Sequence, residues 1–297
     1  MAQSALIDLT DRLLLTVDNH LIKSFMESGL ASGDTDYSYL SDVKSWVKTY
    51  YAKSKMKNHG GVYGYDAKDK GFIAGVDKKV ASGTKIGIGV QFDDTDVDAF
   101  RRDVNIQTLQ GYVYGEYRPS NWFVNGVLSY GTTDYDEDKY VIGHKVDAHY
   151  KANIYSVQGL TGYTFKHFTP EFGARYYRIK RHGYVDSALQ SVSGNDMDLL
   201  RMTLGVKAET VYGKFKPHAY AGIMYDVISD SDDAVVSLGN GESYAVDGKK
   251  MPRFGVELGV GSMIALSDNL EMGIGYEAKF RKKYQDHSGW LSLKYAF

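Results

Sequence analysis

At 297 residues the chain is long enough for one or two domains, and a formal net charge of −2 gives no reason to expect nucleic acid as a partner. It has no cysteine, which excludes disulfides, zinc–thiolate sites and thiol nucleophiles. Tyrosine (25) and glycine (32) are abundant and proline (4) is scarce, a mixture suited to strands, tight turns and water–lipid boundaries.

The first segment has helical spacing. Leu6, Leu9, Leu13, Val17, Leu21 and Phe25 recur every three or four residues, without Gly or Pro, and Ser28-Gly29 is a stop signal. A helix is expected from about Ala5 to Glu27. Asp8, Asp11 and Arg12 interrupt any signal-peptide core, and no run approaches the roughly 20 apolar residues of a spanning helix. Residues 1–30 are therefore set apart as a helix, and the polar residues 31–42 as a linker.

From Val43 to Phe297 only strands are expected, about twelve of them: Val43–Lys53, Gly71–Val80, Thr84–Phe92, Ile106–Tyr117, Trp122–Thr133, Lys151–Phe165, Thr169–Arg181, Leu199–Val211, Lys214–Val227, Arg253–Leu266, Leu270–Lys283 and Ser288–Phe297. Ile86, Ile88, Val90 and Phe92 oppose Lys85, Gly87, Gly89 and Gln91. Leu270, Met272, Ile274, Tyr276, Ala278 and Phe280 likewise oppose Glu271, Gly273, Gly275, Glu277, Lys279 and Arg281. A charged inner face is a poor sandwich core, but it fits a barrel with lipid outside and water within. Short turns at Ala81–Gly83, Arg118–Asn121, Lys166–Phe168, Tyr212–Gly213 and Ser267–Asn269 alternate with long acidic stretches expected to be loops. These are Ser54–Lys70, Asp93–Asn105, Asp134–Tyr150, His182–Asp198 and Ile228–Pro252. The fold class is thus an all-β transmembrane barrel of about 12 antiparallel strands in the bacterial outer membrane.

The eight histidines are scattered and show no metal-ligand spacing, so neither metal nor cofactor is expected. The glycines of the Gly-x-Gly stretches at Gly87, Gly259 and Gly273 fall inside strands and read as places where a helix backbone nears the wall. Trp122, Tyr130, Tyr176, Tyr225 and Tyr295 read as interface girdles.

The ordered set of a pore-length helix, about twelve alternating strands and a terminal Tyr-x-Phe resembles the translocator (β) domain of autotransporters, the type V secretion system. The resemblance covers nearly the whole chain. It is carried by Ser45-Trp46-Val47-Lys48-Thr49-Tyr50, Gly71-Phe72-Ile73-Ala74-Gly75-Val76-Asp77, Lys85-Ile86-Gly87-Ile88-Gly89-Val90 and Leu293-Lys294-Tyr295-Ala296-Phe297. It implies that the helix sits inside the pore and leads to a covalently attached passenger outside the cell, with a signal peptide and passenger preceding Met1. The implied function is to move that passenger across the outer membrane and to anchor it at the surface. The implied partners are outer-membrane lipid and the barrel assembly machinery, the latter reading Leu291, Leu293, Tyr295 and Phe297; the barrel is expected to be monomeric.

In a polar lumen, Leu9, Leu13, Val17, Leu21, Phe25, Asp11, Arg12 and Asp18 are the helix residues expected to meet the wall. Glu116, Arg175, Arg201, Glu209, Glu257, Glu277 and Lys279 are the expected wall partners. No substrate turnover is expected. Single-turnover self-cleavage of the passenger link is open, with Glu257 and Glu277 as acid–base candidates and Ser4-Ala5 resembling a cut site, while the Asn-Asn pair that one subfamily cuts is absent. The alternative is a diffusion porin or channel of similar strand count, with the helix as a periplasmic extension. An outer-membrane hydrolase and a soluble β-sandwich are the more distant readings.

Overall fold

The computed structural model describes residues 2–30, 43–58, 63–141, 143–246, 248 and 250–297, with helix side chains from 4 to 21. The linker expected at 31–42 and the side chain of Phe25 lie outside the described residues. Helix α1 runs Ala2–Leu30. The strands are β1 Val43–Met56, β2 Tyr65–Ala81, β3 Thr84–Ala99, β4 Arg102–Tyr117, β5 Trp122–Val141, β6 His144–Tyr163, β7 Phe168–Arg181, β8 Tyr184–Val185, β9 Ser191–Val192, β10 Asn195–Glu209, β11 Phe215–Ser229, β12 Ala234–Ser237, β13 Ser243–Val246, β14 Phe254–Ala265, β15 Leu270–Arg281 and β16 Tyr284–Ala296.

Twelve of these close an antiparallel barrel in the order β1-β16-β15-β14-β11-β10-β7-β6-β5-β4-β3-β2. The seam is a full ladder from Lys44↔Ala296 to Met56↔Tyr284. The short turns share one end, the near end, with Val43 and Phe297, whose backbones bond at 3.1 Å. No described helix is long and apolar enough to cross a membrane, so any crossing is by strands. Around the middle of the wall the apolar positions face out and stay exposed, among them Ile88 (64%), Leu128, Leu204, Val260, Ile274 and Leu291. That is the surface a lipid belt requires.

The far half of the wall corrects the sequence reading. Asp93–Asn105 is not a loop: β3 and β4 stay paired to Ala99↔Arg102, and only Phe100 and Arg101 turn the chain. Asp134–Tyr150 is likewise ladder, paired to Val141↔His144. These segments read as loops because their outward faces are polar. In β4 the pattern reverses along one strand, with Val104 and Ile106 facing in and buried, then Leu109 and Val113 facing out and exposed. The same reversal puts Tyr150 and Ile154 of β6 inside and Val157 outside. Beyond the lipid the outward face meets water, so apolar side chains gain by turning inward. The stretches 182–198 and 228–252, also expected as loops, carry β8, β9, β12 and β13, a four-stranded sheet of order β13-β12-β9-β8 at the far end.

The glycines expected to face the helix backbone meet wall atoms instead: a Cβ on Gly273 would lie 2.4 Å from Met263 Sδ and Ser292 Oγ, and one on Gly259 would meet nothing closer than wall side chains at 3.7 Å. A Cβ on Gly87 would lie 2.2 Å from the ring of Tyr114, one on Gly75 2.9 Å from Trp46, and one on Gly275 2.3 Å from Trp290. Large inward rings from neighbouring strands lie across these bare positions, and the helix backbone is not what crowds them. Gly87→Ala is expected to push Tyr114 off Asp77 and Trp46, which it hydrogen-bonds at 3.0 and 2.9 Å. The cost should be about 1–3 kcal/mol. Urea-unfolding midpoints check this, with Gly111→Ala, which has nothing within 4 Å, expected to be neutral.

Candidate functional site: the helix-filled lumen

Helix α1 has 29 residues and so a length of about 44 Å. Wall strands from all round the barrel contact it. Its chain direction is set by its partners. Asp8 meets Tyr284 and Arg12 meets Asp286 toward the far end, whereas His20 meets Asp77 toward the near end. The N-terminus therefore points to the far mouth. Thr10 and Thr16 face the wall as well: Gln110 Nε2 donates to Thr10 Oγ1 (3.0 Å) and Lys48 Nζ to Thr16 Oγ1 (3.0 Å).

Asp11 is the centre of the polar contacts and is fully buried. Arg175 Nη1 donates to it at 3.3 Å and Lys279 Nζ at 3.3 Å, and Arg201 Nη1 and the Tyr177 hydroxyl also donate to it. Arg201 is held in turn by Asp226 (2.7 Å), which Arg281 also engages at 2.7 Å. Arg175 donates through Nε to Gln158 Oε1 at 2.7 Å, and the amide of that glutamine donates to both oxygens of Asp18, at 2.9 and 2.8 Å. Arg12, one position on, inverts the sign. It sits between Asp69 (3.2 Å) and Asp286 (3.1 Å), with its guanidinium 4.9 Å from the centre of the Tyr50 ring. Buried charges demand such partners, since an unpaired one costs several kcal/mol.

The apolar helix residues also find counterparts on the wall. Leu6, Leu9, Leu13, Val17 and Leu21 form one buried cluster with Tyr65, Val97, Ile106, Tyr150, Ile179 and Trp290. The lumen is therefore not uniformly polar, as alternation alone implied; its far part is an apolar collar around the start of the helix.

The expected wall residues fall into distinct settings. Arg175, Arg201 and Lys279 converge on Asp11, together with Glu257, which pairs with Arg175 at 3.3 Å. Glu277 pairs with Lys48 at 2.8 Å. The register sets Glu257 opposite Lys279 and Glu277 opposite Gly259, so these two carboxylates are drawn to different cations. Glu116 faces inward near the near-end rim and pairs with Arg118 at 3.0 Å. Glu209 borders a crevice between helix and wall, with Asn19, Lys207, His218 and Tyr220. A second crevice lies beside Thr16, Asn19, Trp46 and Lys294. Leu291, Leu293, Tyr295 and Phe297 all project outward.

Sequence reasoning missed Lys48, Asp69, Asp77, Gln158, Tyr177, Asp226 and Asp286. Asp69 fell in a stretch read as a loop, and Lys48 on a strand with aromatics on both faces. His20, stacked on Trp46 at 4.6 Å between ring centres, was set aside with the scattered histidines. Among the described residues no group of three or more metal-ligating side chains could hold an ion.

An autotransporter β-domain family model matches residues 45–277. Among curated proteins, "Outer membrane protein B" of Rickettsia rickettsii is 22% identical over 85% of this chain and 17% of its own length. The protein of the same name from Rickettsia prowazekii (strain Madrid E) is 21% identical over 97% of this chain and 19% of its own. The chain thus spans less than a fifth of the length of these relatives. Among solved structures, the translocator domain of the autotransporter NalP from Neisseria meningitidis superposes with a TM-score of 0.80 at 17% identity, over 100% of this chain and 98% of that one. The transport unit of AIDA-I from Escherichia coli gives 0.63 at 15% identity, over 90% and 94%. The Pseudomonas putida toluene transporter TodX gives 0.54 at 9% identity, over 86% and 90%.

Proposed function

Because the chain belongs to the autotransporter β-domain family, we propose that its lumen helix is both the seal of the pore and the tether of the passenger. The barrel is the outer-membrane translocator of a passenger fused on its N-terminal side. The observation that carries the proposal is the direction of the helix. Its N-terminus points to the far mouth, so whatever precedes it emerges on the side of the long hairpins, while its C-terminus returns toward β1 at the near end. The far end is then the cell exterior and the near end the periplasm. Three wall cations on one helical aspartate hold the helix in place once transfer is complete, and the held helix anchors the surface segment. A single chain closes the barrel and fills it, which favours a monomer. The outward row of Leu291, Leu293, Tyr295 and Phe297 is available to the assembly machinery before lipid covers it. Glu257 and Glu277, each neutralised by its own cation, support a positioning role better than acid–base cleavage.

A short, unstructured epitope segment fused before Ala2 tests this reading, since it can pass the bore in extended form. External proteinase is expected to digest the segment on intact cells and leave the barrel uncut. A segment that stays protected in the periplasm while the barrel assembles would rule the reading out.

A further inference from the structure

We propose that the outward face of β2, β1 and β16, just beyond the apolar belt at the far end, is a binding site for the phosphates of an outer-leaflet glycolipid, with Lys53 and Lys68 holding the anion. The ladders arrange this face in rows. Phe72, Thr49, Leu291 and Ile274 lie side by side across four strands and belong to the apolar belt. The next outward row is Lys70, Tyr51, Gly289 and Tyr276, an aromatic row of the kind found at a membrane boundary. About 7 Å farther on, two residues along the strand, comes the row Lys68, Lys53 and His287. With the far end outside, as proposed above, and the tyrosine row at the boundary, this height falls in the headgroup layer of the outer leaflet.

Lys53 and Lys68 face each other directly across the β1–β2 ladder, and both are exposed. Like charges in that position repel. Their neighbours are neutralised: Lys70 pairs with Asp94 and Lys55 with Asp66, each at 2.9 Å. Among the described residues Lys53 and Lys68 have no such carboxylate. Asp96, opposite Lys68 on β3, instead accepts a hydrogen bond from Asn105 at 2.9 Å. His287 is engaged with the Tyr276 hydroxyl at 2.5 Å, and the Lys53 ammonium lies 5.7 Å from the centre of the Tyr51 ring. Two ammonium groups are thus set at one height above a ring shelf and an apolar wall. A glycolipid fits both surfaces, with phosphate on the lysines and acyl chains against Phe72, Leu291 and Ile274. The sector across β3–β5 at the same height presents Asp96, Asn105 and Asp136, so the preference is local.

The test uses the purified full-length protein in detergent, with binding of bisphosphorylated lipid A and of its dephosphorylated form read by native mass spectrometry. Lys53→Gln/Lys68→Gln should weaken the bisphosphorylated lipid about thirtyfold and leave the dephosphorylated one unchanged. Lys53→Arg/Lys68→Arg should bind as the native chain does. Both side chains point away from the barrel, and a heat-modifiable band on gels confirms closure of each variant; should the glutamine pair fail to close, the single variants carry the test at about fivefold each. Undiminished binding by the glutamine variants overturns the site. So does displacement of the lipid by millimolar inorganic phosphate, which would make it a site for free anions.

Discussion

Replacing Asp11 by Asn is expected to unseat the lumen helix and to turn a quiet pore into one that opens frequently. Asp11 is the shared counter-charge of Arg175, Arg201 and Lys279. Arg175 keeps Glu257 and Arg201 keeps Asp226, but among the described residues the one ion pair within 4.0 Å left to Lys279 is the long one to Asp8. Removing one partner of a buried ion pair costs about 3–5 kcal/mol, because the remaining charge stays desolvated. Applied to the seated state against an unseated one, that range corresponds to an open fraction larger by roughly two to almost four orders of magnitude. Planar-bilayer recordings read this as open-channel dwell time. Asp18→Asn is the internal comparison: its direct contact is the neutral amide of Gln158, which an Asn oxygen can still accept from, so about 1.5–3 kcal/mol is at stake and the trace should change less than for Asp11→Asn. Equal traces for Asp11→Asn and the native chain would mean that the node does not hold the helix.

Deleting residues 1–30 should have the larger effect on conductance and a small one on closure of the barrel. The ladder from β1 to β16 is complete without the helix. The cations it leaves behind gain water, which removes the penalty that Asp11→Asn creates. A twelve-strand barrel emptied of its helix is wide enough for hydrated ions, so single-channel conductance is expected to rise about tenfold or more. The sign of its selectivity is also determined. The described helix side chains place Asp8, Asp11 and Asp18 against Arg12 in the bore, three negative charges against one positive, so deletion shifts the bore by +2. The open pore should favour anions more than the sealed one, seen as a displaced reversal potential in a potassium chloride gradient. An unchanged conductance would identify the chain as a porin-like channel whose helix does not block it.

Much of this architecture is legible in the residues alone, and the legible part is the part facing lipid. Ile86, Ile88 and Val90 alternate with polar neighbours because hydrocarbon on one side and water or polar side chains on the other impose a period of two. The helix is legible because Leu6, Leu9, Leu13, Val17 and Leu21 must share one face whether it packs in a bore or on a surface. The charges Asp11, Arg12 and Asp18 stand out because they lie off that face in an otherwise largely apolar stretch. Their partners are another matter: Arg175, Arg201 and Lys279 lie 164, 190 and 268 residues away from Asp11. Only barrel closure, which fixes the order and register of twelve strands, brings them to one carboxylate. The far half of the wall was hidden for a related reason. Val104, Ile106 and Tyr150 alternate correctly, but with the opposite face apolar, and a strand whose pattern changes sign midway looks like a strand that ends. The glycines opposite Tyr114, Trp46 and Trp290 were equally silent, since a bare position and the ring that covers it sit on different strands. Local alternation thus determined the elements and their lipid face. Where the membrane ends, what fills the bore and which charges meet were decided by closure, because closure alone sets which residues share the inside.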